Sequence, residues 1–297
     1  MADPEIAAIC AALAANPRPP GLEERRKRLD ALASQHPLPA DVRIEEVDVG
    51  GVPAEWSSTP QADPDRVILF LHGGGYVSGS LVSHRAMVAE AGRLSGARTL
   101  ALGYRLAPEH PFPAAFEDTM AGYRSLLSQG FDSGRIAIAG DSAGGGLTIA
   151  ALVSIREAGL PLPACGWCVS PWVDLAGTGD SLDSKAEADP MIQRDYLQEL
   201  AAAYLHGADP RSPAASPLYA DLRGLPPLLI QVGSAETLLD DSVRLARKAG
   251  AENVWVQLEV WPEMIHVWHL FYPQLAAGRR ALASAGAFIR AELSGSG

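Results

Sequence analysis

Arg135-Ile136-Ala137-Ile138-Ala139-Gly140-Asp141-Ser142-Ala143-Gly144-Gly145-Gly146 is the stretch on which the reading of the chain turns. It opens as an apolar, strand-like run and carries Gly140-x-Ser142-x-Gly144. Behind it, Leu147-Thr148-Ile149-Ala150-Ala151-Leu152-Val153 is long and apolar enough for a buried helix. A strand that turns straight into a helix through G-x-S-x-G is a nucleophile elbow. The turn is so sharp that glycine is needed on either side, and it leaves the Ser142 hydroxyl proud of the sheet edge. The pentapeptide alone also fits a Gly-rich turn without chemistry. Its flanking strand and helix favour the nucleophile.

To either side, buried strands alternate with helices. Val67-Ile68-Leu69-Phe70-Leu71 is a continuous apolar run, as expected of a strand covered on both faces, and it ends in His72-Gly73-Gly74-Gly75-Tyr76. A helix pattern from about Ser83 to Ser95 leads into the run Thr99 to Leu102. After Tyr104-Arg105-Leu106-Ala107-Pro108-Glu109-His110-Pro111-Phe112-Pro113 comes a helix to about Gln129. Cys165 to Val169, Leu228 to Val232 and Val254 to Val260 read as further strands, and the last helix as about Gln274 to Leu293. Asp41 to Ser58 reads as β structure with a turn at Gly50-Gly51. This alternation predicts an α/β fold, a mostly parallel central sheet flanked by helices.

Two segments stand outside the alternation. Residues 1–40 read as two short helices split by Asn16-Pro17-Arg18-Pro19-Pro20-Gly21. Within residues 180–213, Leu197, Leu200, Ala201, Tyr204 and Leu205 mark an amphipathic helix, with Pro190 near its start and Gly207 at its end. The expected organisation is N-terminal cap helices over 1–45, a catalytic α/β domain over 46–179 and 214–297, and a cap insertion over 180–213.

The gross numbers remove other function classes. A formal charge of -11 repels phosphate backbones, and no Lys/Arg cluster carries interleaved aromatics, so no nucleic-acid partner is expected. The one basic run, Arg25-Arg26-Lys27-Arg28, follows Glu23-Glu24. The i,i+4 spacing of Glu24 and Arg28 reads as a solvated helix face. No apolar run reaches the roughly eighteen residues of a membrane span. The N-terminus carries Asp3 and Glu5 and no early cation, which fails as a secretory signal and predicts a cytoplasmic protein. Cys10, Cys165 and Cys168 make an odd count and no disulfide framework. Three apart on one strand, Cys165 and Cys168 face opposite sides.

Serine attacks only when a base takes its proton, and the base needs a carboxylate to hold its tautomer. Of seven histidines, His206, His266 and His269 follow Ser142. His206 ends the amphipathic helix, where capping or surface duty is expected. His266 lies in the loop Trp261-Pro262-Glu263-Met264-Ile265-His266 after a strand and is the candidate base. His266 with His269 is a two-His metal half-site without a third ligand nearby, so no metal and no cofactor are expected. For the acid, Thr237 and Asp240 fit a capping box, and Asp240 and Asp241 suit a first helical turn. That leaves Glu236 as the favoured acid over Asp240, with Asp241 and Asp189 further behind. The oxyanion calls for backbone donors: the amide of Ala143 and those of Gly74 and Gly75, with Gly73 shaping the turn. The alternative for these glycines, a phosphate cradle, lacks the required spacing. Tyr76, Trp172, Val267 and Trp268 flank the motifs as candidate pocket residues, with core packing the equal alternative.

With His72-Gly-Gly-Gly, Tyr104-Arg-Leu-Ala-Pro-Glu-His-Pro-Phe-Pro, Gly140-Asp-Ser-Ala-Gly-Gly and a late acid and histidine in one order, the chain resembles the bacterial hormone-sensitive-lipase family of carboxylesterases over nearly its whole length. The resemblance implies an α/β-hydrolase sheet, a cap built from the N-terminal helices and an insertion, and hydrolysis of short- to medium-chain esters. It also implies frequent homodimers. It places Ser142, the residue at 236 and His266 as a triad, and Gly74, Gly75 and Ala143 as oxyanion donors. Most relatives carry Asp where this chain has Glu236, whose side chain is one methylene longer. The Tyr104–Pro113 motif reads as scaffold, with Arg105 or Glu109 pairing locally. Two alternatives stand beside an esterase: an amidase or acyltransferase with the same triad, and a non-catalytic ligand-binding protein on this fold.

Overall fold

In the computed structural model, which describes residues 4–33 and 38–295, two helices come first, α1 (Pro4–Ala15) and α2 (Leu22–Ala33). The parts of the expected N-terminal helical region at 1–3, Asp3 included, and at 34–37 lie outside the described residues. An antiparallel hairpin follows, β1 (Arg43–Val49) and β2 (Val52–Ser58), turning at Gly50 and Gly51. Then come β3 (Asp63–Leu71), α3 (Leu81–Ser95), β4 (Ala97–Leu102), α4 (Ala114–Ser128), β5 (Ile136–Asp141) and α5 (Ala143–Glu157). The remainder is β6 (Cys165–Val169), α6 (Ser181–Ser184), α7 (Arg194–Leu205), β7 (Leu228–Gly233), α8 (Leu239–Ala251), β8 (Val256–Trp261) and α9 (Ala276–Ser294).

Eight strands form one sheet in the order β1-β2-β4-β3-β5-β6-β7-β8, antiparallel in β1, β2 and β4 and parallel from β4 to β8. This is an α/β-hydrolase sheet. The period of two along a strand sorts its side chains between two cores. Val67, Leu69 and Leu71 join Ile136, Ile138 and the apolar residues of α4, α5 and α8 on one face. Ile68 and Phe70 join Ala137, Ala139, α3 and α9 on the other. Strands buried on both faces explain why the runs read as unbroken apolar stretches. Cys165 and Cys168 fall on opposite faces, buried and free, as the spacing requires.

The N-terminal helices dock on this body by different means. α1 inserts Ile6 and Ile9 among Met264, Ile265, Trp268 and Leu275. Among its residues of described burial, 22–32, α2 has none fully buried and is held by its arginines, which corrects the reading of Arg25–Arg28 as a solvated face. Arg25 meets Glu199 of α7 at 2.7 Å and the carbonyls of Pro19 and Pro20. Arg28 donates to the carbonyls of Asn16 and Pro17, and Arg26 to Val77, Ala107 and Glu109. The i,i+4 pair that forms on α2 is Glu23–Lys27. The physical reason is that a guanidinium carries five donors, and the proline-broken connection offers carbonyls that no helix or sheet uses. Glu109 accordingly pairs across the fold, whereas Arg105 pairs locally with Glu117 and Asp118.

Candidate active site

Strand β5 runs into α5 with Ser142 at φ 53, ψ -118, a left-handed backbone for a non-glycine residue. The elbow is pinned from both sides: the Ser142 amide donates to the Val169 carbonyl, and its own carbonyl accepts from Gly146 and Trp172. The flanking glycines are needed for closeness. A Cβ at Gly140 would lie 2.4 Å from the Gly144 carbonyl oxygen, and one at Gly144 would lie 1.9 Å from that of Leu71. Strand, turn and helix are therefore packed backbone to backbone, and Ser142 sits at the N-terminal end of a fifteen-residue helix.

Two loops deliver the partners of that hydroxyl. His266, in the loop after β8, places Nε2 3.0 Å from Ser142 Oγ and Nδ1 2.8 Å from Glu236 Oε2. Glu236, after β7, is fully buried. Its other oxygen accepts from the Gly233 amide at 2.5 Å and from the Ser170 hydroxyl at 2.9 Å. Burial pushes the Glu236 carboxyl up from its ordinary value, against the pull of His266 and the Gly233 amide. For His266, burial is the largest single effect and disfavours the cation. The bond and charge of Glu236, with Asp189 and Asp141 behind it, outweigh burial and raise the imidazole above its usual value.

The other candidate acids hold the scaffold, though not by the expected capping. The residue flanking α8 at its N-terminus is Leu238, which makes no side-chain cap, and the Asp240 amide in the first turn donates to Ser181 Oγ at 2.9 Å. Thr237 instead donates to Asp189 and to the Ile192 carbonyl, so the expected capping box does not form. Asp240 accepts from the Ser181 amide, and Asp241 accepts from the amides of Val173 and Asp174. Asp189 receives the amides of Thr237, Met191 and Ile192. These aspartates tie residues 173–192 to the acid loop, which is why none faces His266.

The turn after β3 carries three successive positive φ values, Gly74 at 115, Gly75 at 64 and Tyr76 at 64. Gly74 and Gly75 donate their amides to no acceptor among the described residues. The Gly73 amide is turned away from them and shapes the turn. It donates to Asp141 Oδ1 at 2.9 Å, because the turn folds back onto the residue before the nucleophile. His72, buried and lowered to about 4 first by desolvation and then by His84, is neutral and donates Nδ1–H to the Gly73 carbonyl. Tyr104 stacks on His72 and donates its hydroxyl to the His72 carbonyl at 2.6 Å.

A cavity of about 420 Å³ opens on Ser142 and His266. Apolar side chains wall it: Leu13 from α1, Leu29 and Leu32 from α2, and Leu197 and Leu200 from α7. Trp172 and Val267 line it, as expected. Tyr76 and Trp268 do not, and both are corrected to core residues. Tyr76 turns under the turn to stack on Tyr204 at 3.7 Å, and Trp268 packs with Ile6, Ile9 and Leu275. His269 is bonded to Gln231 at 2.9 Å and lowered to about 3 by burial, so it does not join His266 in a metal half-site. His206 ends α7 in the left-handed conformation, as a terminal residue.

Sequence reasoning passed over Ser170, His84 and the leucines of the cavity. Ser170 bridges Glu236 to the Val267 amide, and its signal was its place directly after β6. His84 meets Asp141 Oδ2 at 3.2 Å and lines the cavity with it. Leu13, Leu29 and Leu32 carry no motif, and for Leu197 and Leu200 the amphipathic pattern shows a cap helix but not a cavity beneath it, because a helix face covering a cleft reads like one covering a sheet.

A family model described as the alpha/beta hydrolase fold matches residues 68–270. An acetyl-hydrolase of Streptomyces hygroscopicus is 50% identical over 252 residues, covering 85% of this chain and 83% of that protein. An esterase of Acinetobacter venetianus is 34% identical, covering 89% of this chain and 87% of its own. Among solved structures, an esterase from the bacterial hormone-sensitive lipase family superposes with a TM-score of 0.96 at 48% identity, covering 99% of both chains.

Proposed function

We infer the division of labour in this site from what the chain is: it belongs to the hormone-sensitive-lipase type of the alpha/beta hydrolase family, and it is a serine carboxylesterase. In our reading Ser142 is the nucleophile, His266 the base and Glu236 the acid. The observation that carries it is the imidazole held between the two, 3.0 Å from Ser142 Oγ and 2.8 Å from Glu236 Oε2. His266 takes the Ser142 proton as Oγ adds to the ester carbonyl. The amides of Gly74, Gly75 and Ala143 receive the oxyanion. The alcohol leaves with the proton from His266, and water repeats both steps on the acyl-enzyme.

The N-terminal helices and the segment 180–213 act as the cap over this cleft, and their leucines favour short- to medium-chain acyl groups. A cytoplasmic location and self-association as a homodimer are further parts of the proposal, open to cell fractionation and sedimentation. Ser142→Ala should lower kcat on nitrophenyl butyrate by about 10⁴-fold or more. A smaller loss on correctly folded protein removes Ser142 from the role. Matched butyrate ester and butyramide substrates separate the esterase from an amidase with the same residues. Faster turnover of the amide would reverse the assignment.

A further inference from the structure

Among the described residues, Arg26 of α2 joins three segments that are distant in sequence. Its Nε donates to the Val77 carbonyl at 2.7 Å, and Nη2 donates to the Ala107 carbonyl at 3.0 Å. Both terminal nitrogens grip the Glu109 carboxylate, each at 2.8 Å. The Ala107 amide in turn donates to the Tyr76 carbonyl at 2.9 Å. One guanidinium therefore fixes both carbonyls of Tyr76-Val77, directly for Val77 and through Ala107 for Tyr76. These residues directly follow Gly74 and Gly75.

That location matters because the turn is held in an unfavourable backbone. Glycine adopts positive φ freely at 74 and 75, but φ 64 at Tyr76 persists only under outside restraint. The inner restraints are the Asp141 contact to Gly73 and the Ser78 bonds to the Gly74 carbonyl. Outside, α7 packs Leu200 so closely that a Cβ on Gly75 would lie 2.4 Å from its Cδ1. α7 also stacks Tyr204 on Tyr76, and a further outer restraint is α2, through Arg26 and through the Ser80 hydroxyl, which meets Asp30 at 2.5 Å.

We propose that Arg26 is a positioning residue for the oxyanion turn, so that seating of the N-terminal helix pair aims the Gly74 and Gly75 amides at the reacting carbonyl. The proposal rests on those amides being the oxyanion donors. Arg26 does not line the cavity. Its removal should cost transition-state stabilisation and leave ground-state binding nearly intact, since donor aim matters most where charge develops.

The test compares Arg26→Met and Arg26→Lys with wild type and with Lys27→Met, an exposed neighbour on α2. Rates on nitrophenyl butyrate are measured alongside inhibition by a matched alkyl trifluoromethyl ketone. Ser142 Oγ adds to that ketone's carbonyl carbon, its proton passes to His266, and the carbonyl electron pair becomes an oxyanion in the turn. Arg26→Met should lower kcat by about 10- to 100-fold with KM within about 3-fold. It should weaken the ketone by the same factor and leave the acid limb of the pH profile in place. Arg26→Lys, keeping one donor group, should fall between, and Lys27→Met should match wild type. If Arg26→Met is recovered unfolded, Arg26→Lys carries the same comparison. Near wild-type kcat, or a loss of kcat without weaker ketone binding, overturns the role of Arg26. Wild type binding the trifluoromethyl ketone no better than the methyl ketone instead overturns the oxyanion assignment.

Discussion

Glu236 and Asp240 lie four residues apart, and the capping box that would set them apart is one the fold does not build. Asp240 is occupied all the same, by the Ser181 amide, and Glu236 meets the imidazole. Glu236→Gln should therefore lower kcat by about 10³- to 10⁴-fold, because the amide no longer secures the tautomer or the cation of His266. Asp240→Asn should leave kcat within a few fold and lower the unfolding midpoint instead. Steady-state kinetics with urea titration distinguishes them, and the opposite ranking would reassign the acid. The same pair sets the pH response. His266 must begin neutral, and its partners raise it above the ordinary histidine value. Activity should be full above that raised value and fall as pH drops through it, so the acid limb lies above about 6.5. A limb below that value in the kcat/KM profile would mean that burial outweighs Glu236. Residue identities were legible wherever a motif ties a side chain to a backbone shape, as at Ser142. They were not legible where duty depends on a distant partner, as Ser170 and Arg26 show.

At the scale of elements, the parallel strands could be read to within a few residues, because a strand covered on both faces leaves an unbroken apolar run; β3 begins four residues before its run, at Asp63. The helices of the N-terminal region were placed, but their attachment was not. Over residues 22–32 α2 buries none fully, and its arginines look the same in sequence whether they meet water or carbonyls. Packing between helices was equally invisible. α3 and α9 approach so closely at Gly286 that a Cβ there would lie 2.7 Å from Leu94 Cβ and 2.9 Å from the Leu94 carbonyl oxygen. Gly286→Ala should destabilise the protein by about 1–3 kcal/mol in urea unfolding, with kcat of the folded fraction unchanged. A stabilising effect, as expected of alanine in an unconstrained helix, would show that the two helices can part without cost.

For the whole molecule, stability should be graded from sheet to cleft. β3 and β5 sit in the sheet interior with Val67–Leu71 and Ile136–Ala139 sealed, whereas α1 contributes two buried side chains and α2, over residues 22–32, none. Amide hydrogen exchange should be fastest in α1 and α2 and slowest in β3 and β5, with exchange in α2 slowed when a covalent inhibitor fills the cavity. Uniform protection across the chain would contradict a separately yielding N-terminal pair. The three thiols add a practical outcome to this gradient. Cys165 and Cys168 are sealed on the two faces of the sheet, and burial raises both thiols far above their usual range. Cys10 on α1 is only partly covered, and burial raises it less. A maleimide dye at mildly alkaline pH should thus attach at one position without any engineering, giving a fluorescent reporter on the roof of the cleft.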